Sequence, residues 1–206
     1  MARRKRLPRK FFLQPDVVAA SRALLGKYLV TAIDGEQTAG MIVETEAYRA
    51  PDDKACHAWN NRRTKRTETL FAEGGHAYVY LCYGIHHLFN VVTGPAEVAQ
   101  AVLIRAIEPT DNLERQLARR GRDRVRPQLT AGPGVMSKAL GIRTDHDALD
   151  LRASDSPIWL EDRGRVVSEA DIASGPRVGV AYAAECAEWP WRFWIANSPW
   201  VSKWKK

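Results

Sequence analysis

The residues best suited to chemistry lie between positions 42 and 90. In Ile42-Val-Glu-Thr-Glu-Ala-Tyr48, the two-residue period of a strand puts Glu44, Glu46 and Tyr48 on one face. A carboxylate beside an aromatic ring suits an acid/base site for a flat substrate. Glu takes a proton from water, and Tyr offers a surface for stacking. The same alternation also describes an exposed edge strand with a solvated Glu. A polar loop follows, with Pro51-Asp52-Asp53 and His57, then Asn60-Asn-Arg-Arg-Thr-Lys-Arg66. Arg62, Arg63, Thr64, Lys65 and Arg66 are candidate phosphate donors. His57 alone fits a structural histidine as readily as a catalyst.

Further on, Tyr78-Val-Tyr-Leu-Cys-Tyr-Gly84 predicts a strand with Tyr78 and Tyr80 on one face and Tyr83 at a hairpin tip. A tip aromatic is costly to expose unless it meets something flat or apolar, such as stacked bases. Packing against a neighbouring loop is the alternative. His76, His86 and His87 invite a metal reading with Glu44, Glu46 and His57, but their spacing matches no standard zinc site. No metal and no cofactor is expected. The chain also lacks a G-x-x-x-x-G-K-[ST] phosphate loop and a G-x-S-x-G elbow, which removes phosphotransferase and serine-hydrolase readings.

These segments need a scaffold. Asp16 caps a helix over 17–25 that Gly26 ends. Strands at 28–33 and 38–48 flank Asp34-Gly35 as a hairpin. A short helix is predicted near 67–73, then strands at 77–83, 88–93 and 99–107. Asp111-Asn-Leu-Glu114 reads as a capping box opening a helix to about 120. A helix at 135–140 and strands at 158–161, 177–183 and 192–196 complete the chain. The fold class is α+β: a single domain, a mainly antiparallel β-sheet with hairpins and flanking helices, and no helix-hairpin-helix motif.

The chain has 206 residues, 45% hydrophobic and 27% charged, with 31 Lys+Arg against 24 Asp+Glu and a net charge of +7. That composition excludes a disordered, collagenous or coiled-coil chain and suits one self-supporting core. Residues 1–10 carry six of the basic residues and no acid, leaving +1 for the rest. They read as a basic disordered arm, suited to a polyanion or simply solubilising, with the folded domain over 11–206. A second basic cluster runs Arg115, Arg119, Arg120, Arg122, Arg124 and Arg126. Such segments suit a polyanion or a solvated surface. The odd count of three cysteines without C-x-x-C spacing argues against a disulfide scaffold. With no apolar span and no signal peptide, a cytoplasmic location and no membrane partner are expected.

Together the segments resemble the alkyladenine (3-methyladenine) DNA glycosylase family of animals and many bacteria. The matching pieces are Val43-Glu-Thr-Glu-Ala-Tyr48, Pro51-Asp-Asp53 with His57, Tyr78-Val-Tyr80 with Tyr83-Gly84 and Asn90, and Val102-Leu-Ile-Arg-Ala106 with Glu108-Pro109. Gly132-Pro133, Arg177-Val-Gly-Val180, Arg192-Phe193 and Ser198-Pro-Trp-Val-Ser202 follow in family order. The resemblance spans about residues 17–202.

The resemblance implies a monofunctional enzyme that flips an alkylated purine out of double-stranded DNA and leaves an abasic site. Glu46 is implied as the base activating water, and Arg105 as a residue holding that water and a nearby phosphate. Tyr48, His57 and Tyr80 are implied as walls around the extruded base, and Asn90 as the residue crowding the 2-amino group of guanine. Tyr83 is implied as the wedge in the duplex, and Arg62, Thr64 and Arg66 as backbone contacts. The expected substrate is 3-methyladenine, while 7-methylguanine, hypoxanthine and ethenoadenine are left open. A monomer is expected. Cys56 departs from the small Ser or Ala usual before the histidine. Two rival readings stand beside this one: a nucleic-acid-binding module without catalysis, and a metal-dependent hydrolase.

Overall fold

A computed structural model describes residues 5–203. Its strands, among the described residues, are β1 (Lys5–Arg6), β2 (Tyr28–Ile33), β3 (Glu36–Arg49), β4 (Ala77–Cys82), β5 (His86–Val92), β6 (Gln100–Asp111), β7 (Ile158–Asp162), β8 (Ile172–Gly175) and β9 (Arg192–Ile195). They form one sheet in the order β1-β7-β2-β3-β6-β5-β4, with β9 joining β3 and β8 joining β9. Every pairing between named strands is antiparallel. This is the expected α+β class.

The long strand β3 is the axis. Its pairing to β6 runs along nearly its whole length, while its other edge is shared by β2 and then β9. Four α-helices are described: α1 (Arg9–Phe12), α2 (Val17–Ala23), α3 (Leu113–Arg120) and α4 (Pro133–Leu140). The main core packs Val17, Ala20 and Leu24 from around α2, and Met136 and Leu140 from α4, against Leu29, Ile42, Phe89, Ile104 and Ile107 of the sheet. Each such side chain contributes roughly 1.5–3 kcal/mol by leaving water. Asp16 caps α2 as expected, its Oδ1 accepting from the N–H groups of Val18 and Ala19 at 2.8 and 3.2 Å.

Three expectations change. The arm is ordered from Lys5 onward: Lys5 and Arg6 pair with Asp162 and Glu161, and Leu7 is buried. Backbone pairing captures this segment, and the Arg6 guanidinium lies 4.4 Å over the Trp159 ring. Residues 1–4 fall outside the described residues. The cap of α3 is Asn112, not Asp111, because β6 runs on to Asp111 and Asn112 turns left-handed at φ 53° to accept from the Arg115 N–H. No strand forms over 177–183. There the backbone N–H of Val178 goes to a side chain, Gly179 is left-handed (φ 76°), and a 3-10 turn spans Ala181–Glu188.

Candidate active site

Strand register brings the sequence-predicted residues together. Glu46 of β3 stands opposite Leu103 of β6, Leu103 opposite Asn90 of β5, and Asn90 opposite Tyr78 of β4. These four residues form one row across four strands, and directly opposed residues share a face. Arg105 reaches the row by an irregularity. Between Glu44↔Ala106 and Thr45↔Ile104 it has no opposite residue, and such bulges re-aim side chains.

Glu46 is fully buried, which rules out the solvated edge strand. Its Oε1 accepts from the Val178 N–H at 2.7 Å and pairs with Arg105 Nη1 at 3.2 Å. Its Oε2 accepts from the Tyr48 hydroxyl at 2.7 Å. A carboxylate offers about four lone-pair sites, so among the described residues one on Oε2 is without a partner. Glu44 sits alongside, equally buried, and accepts from Arg105 Nε (2.8 Å), Arg192 Nε (2.7 Å) and the N–H and hydroxyl of Ser202 (2.7 and 2.8 Å). Burial opposes the Arg105 charge, but Glu46 and then Glu44 outweigh it and hold its pKa above the ordinary arginine value. Burial, and then the Glu46 charge, push the Tyr48 hydroxyl well above its usual range, so it stays a donor.

Tyr48, Arg105 and Val178, which cover Glu46, also line a cavity of about 740 Å³ that includes His57, Tyr80 and Asn90. Its volume falls in the range typical of small-molecule sites. The His57 and Tyr80 rings meet edge-on with centroids 4.6 Å apart, and His57 Nδ1 shares a hydrogen bond of 2.8 Å with the Tyr78 hydroxyl. Burial, and then the Arg66 charge, push the His57 pKa down to about 4. The ring is therefore neutral at pH 7. Asn90 is held by its amide, Nδ2 donating to the carbonyls of Tyr78 (3.0 Å) and Leu88 (3.4 Å). Cys56 is buried and its thiol pushed up to about 12, chiefly by that burial, so it stays protonated.

The rim is different. Tyr83 is 89% exposed and Ile85 73% exposed at the β4–β5 tip. Tyr83 (φ 51°) and Gly84 (φ 71°) are both left-handed, and the Ile85 N–H closes the turn on the Cys82 carbonyl at 3.2 Å. Such turns favour Asn-Gly, yet a tyrosine occupies the first left-handed position. Arg62 and Arg66 are exposed, and Arg66 lines the cavity with its guanidinium 5.5 Å over the Tyr80 ring. Thr64 is tied inward, its N–H donating to Thr67 Oγ1 at 2.8 Å. Arg63 is consumed by Glu68 and Glu97.

The second basic cluster divides. Arg119 and Arg120 spend their N–H groups on backbone carbonyls of Ile33 and Leu129, while Arg122, Arg124 and Arg126 stay exposed. The histidines disperse as well: His76 bonds the Glu73 carbonyl, His87 accepts from the Thr144 N–H, and His86 faces Gly134. Among the described residues no group of three or more His, Cys, Asp or Glu could hold a metal, and no helix is long and apolar enough to cross a membrane.

A sheet-borne carboxylate beneath an aromatic cavity, with basic residues at its rim, matches one known group over most of its length. The model of the methylpurine-DNA glycosylase family matches residues 10–199. The chain belongs to the methylpurine-DNA glycosylase family. Among curated relatives, a protein of Bacillus cereus (strain G9842) named "Putative 3-methyladenine DNA glycosylase" is 45% identical over 198 residues, 93% of this chain and 97% of the relative. Proteins of the same name from Bacillus cytotoxicus and Bacillus thuringiensis (strain Al Hakam) are 43% and 44% identical over the same share of each chain.

Several residues of this family member escape sequence reasoning. Glu44 shares the face of Glu46, but nothing in E-T-E says that it gathers two arginines and Ser202. Asp53 and Arg177 form a fully buried bidentate pair at 2.5 and 2.7 Å beneath Tyr48. Both stand in pieces that carry the family resemblance, Pro51-Asp-Asp53 and Arg177-Val-Gly-Val180, but spacing does not reveal that they pair.

Proposed function

We propose that this chain is a monofunctional 3-methyladenine DNA glycosylase of base excision repair, acting as a monomer on duplex DNA that carries an alkylated purine. The observation that carries this reading is Glu46: a fully buried carboxylate with one lone-pair site unpartnered among the described residues, covered by Tyr48, Arg105 and Val178, which line an aromatic cavity. A protein that merely bound nucleic acid would gain nothing from such a group, since it repels phosphate. The purine leaves the stack at a cost of a few kcal/mol, least when damaged, and lies between Tyr48, His57 and Tyr80. Asn90 excludes a 2-amino group by its fixed position. Tyr83 fills the vacated stack, and Arg62 and Arg66 neutralise phosphates, with Thr64 shaping their loop.

The chemistry is a hydrolysis. A cationic 3-methyladenine leaves with the electrons of its glycosidic bond. Water adds to C1′ as Glu46 takes its proton, and Arg105 steadies the water and the carboxylate. A positioned base of this kind contributes roughly 10²–10⁴ in rate. Among the described residues the partners of Glu46 are Tyr48, Val178 and Arg105 and none is a lysine, although Lys203 lines the cavity; in this reading water is the nucleophile.

The test is to incubate the full chain with methylated duplex DNA in EDTA and identify the products. Free 3-methyladenine and an intact strand with an abasic site are expected. A borohydride-trapped covalent adduct would overturn the monofunctional reading, loss of activity in EDTA would favour a metal hydrolase, and lesion binding without base release would favour the binding module.

A further inference from the structure

We propose that Arg177 is a positioning residue that tempers the pocket's preference for positively charged bases, by laying its own cation on the face of Tyr48 turned away from the cavity. This rests on the reading of the cavity as the place of an extruded purine. The Arg177 side chain is completely buried, and its guanidinium carbon lies 4.7 Å from the Tyr48 ring centroid and 5.4 Å from that of Trp191. Tyr48 lines the cavity and Arg177 does not, so the ring stands between the cation and the bound base.

The guanidinium is fixed in that plane from several sides. Nη1 donates to Asp53 (2.5 Å) and to the Ala47 carbonyl (2.8 Å), and Nη2 to Asp53 (2.7 Å) and the Cys186 carbonyl (3.1 Å). Nε has no acceptor among the described residues. The next residue, Val178, donates its N–H to Glu46 at 2.7 Å. Arg177 thus anchors both a pocket wall and a ligand of the carboxylate.

The consequence is electrostatic. An aromatic face attracts a cation through the ring quadrupole. A cation already on one face draws π density toward itself and repels a second cation across the ring, at a distance where Coulomb terms still count. The charges at and beneath the cavity also balance: buried Glu44, Glu46 and Asp53 against buried Arg105 and Arg177 and the half-buried Arg192. The pocket therefore holds a flat ring by stacking, with its bias toward cationic rings held down by Arg177.

The experiment measures affinity, so it does not depend on turnover. Duplexes carry one 2′-fluorinated 7-methyladenosine, which is cationic and has no 2-amino group to meet Asn90, or one 2′-fluorinated inosine, which is neutral; the fluorine suppresses base loss. Binding is measured for the full chain, for Arg177→Met with Asp53→Asn, and for Arg177→Lys. The ratio of cationic to neutral affinity is expected to rise about fivefold in the double variant, the size of a modest cation–π term. It is expected to rise about twofold in Arg177→Lys, whose ammonium can follow Asp53 but cannot lie flat on the ring. A merely structural role would weaken both affinities together and leave the ratio unmoved, which overturns the proposal. If the double variant does not fold, an unchanged ratio in Arg177→Lys overturns it alone. If the wild-type chain binds neither lesion more tightly than undamaged duplex, the reading of the pocket itself fails, an outcome distinct from an unmoved ratio.

Discussion

The floor of the cavity and the tip of its rim are built on opposite rules. On the floor, Glu44, Glu46, Asp53, Arg105 and Arg177 are all buried, and each is held by two or more hydrogen bonds or ion pairs. At the tip, Tyr83 and Ile85 are left in solvent on a backbone turn that a tyrosine rarely adopts. Buried charge is tolerated only when paired, so the floor is held in place before any ligand arrives. Exposed apolar bulk at a strained position persists where something else selects it. One region is complete within the chain, and on the proposed reading the other is completed by the duplex.

That contrast can be broken by substitutions that separate stability from binding. Glu44→Met strands Arg105 and Arg192 and is expected to cost about 3–5 kcal/mol of folding stability, as for other broken buried pairs. Urea unfolding measures it, and a cost below about 1 kcal/mol, the scale of an exposed pair, would show that the floor is not the tightly coupled unit described.

His57 provides the next test. Its folded pKa of about 4 lies below the unfolded value of 6.5. As pH falls, the unfolded chain takes up this proton first, so the His57 contribution to stability is present above 6.5 and lost between 6.5 and 4. The loss is up to about 3 kcal/mol by linkage. His57→Gln should flatten that part of the stability–pH curve. The same neutrality predicts that affinity for a cationic lesion shows no His57-dependent break near pH 6.5, where a charged ring would repel it.

The tip behaves in the reverse way. Tyr83→Ala should leave stability within about 0.5 kcal/mol, as surface changes do, while weakening lesion-duplex binding by roughly 1–3 kcal/mol, the worth of one stacked aromatic. Titration against duplex and single-stranded lesion DNA checks this, with the loss expected on the duplex. The smallest effect belongs to the loop. Arg62→Ala and Arg66→Ala should each reduce the salt slope of DNA binding by about 1, while Arg63→Ala, already neutralised by Glu68 and Glu97, should leave the slope unchanged.

The same contrast explains what can be read from sequence. Periodicity and turn residues reveal the strands around Glu46 and Tyr80, the hairpin at Asp34-Gly35 and the cap at Asp16, because these are local signals. Tyr83 is legible for the same reason, since a tyrosine beside a turn glycine is conspicuous. On the floor, Glu44 and Glu46 are legible from alternation and Arg105 from the family resemblance, but the pairings that hold them are not. Arg105 reaches Glu46 through a register irregularity, and Arg177 meets Asp53 across 124 positions of chain. Apolar patterning predicts a strand at 177–183, but the segment gives up its ladder to satisfy Asp53 and Glu46. Lys5 and Arg6 mislead in another way, because charge suggests solvent while backbone pairing and the Trp159 ring hold them in place.

The central claim is that Glu46 activates water, and Glu46→Gln tests it most directly. The amide keeps the shape and can still accept from Tyr48 or Val178, but it cannot take a proton. Base release from methylated duplex DNA under single-turnover conditions, with lesion binding measured in parallel, is expected to fall by about 10²–10⁴ while binding is retained. Release at the wild-type rate by a variant that binds normally would contradict the account.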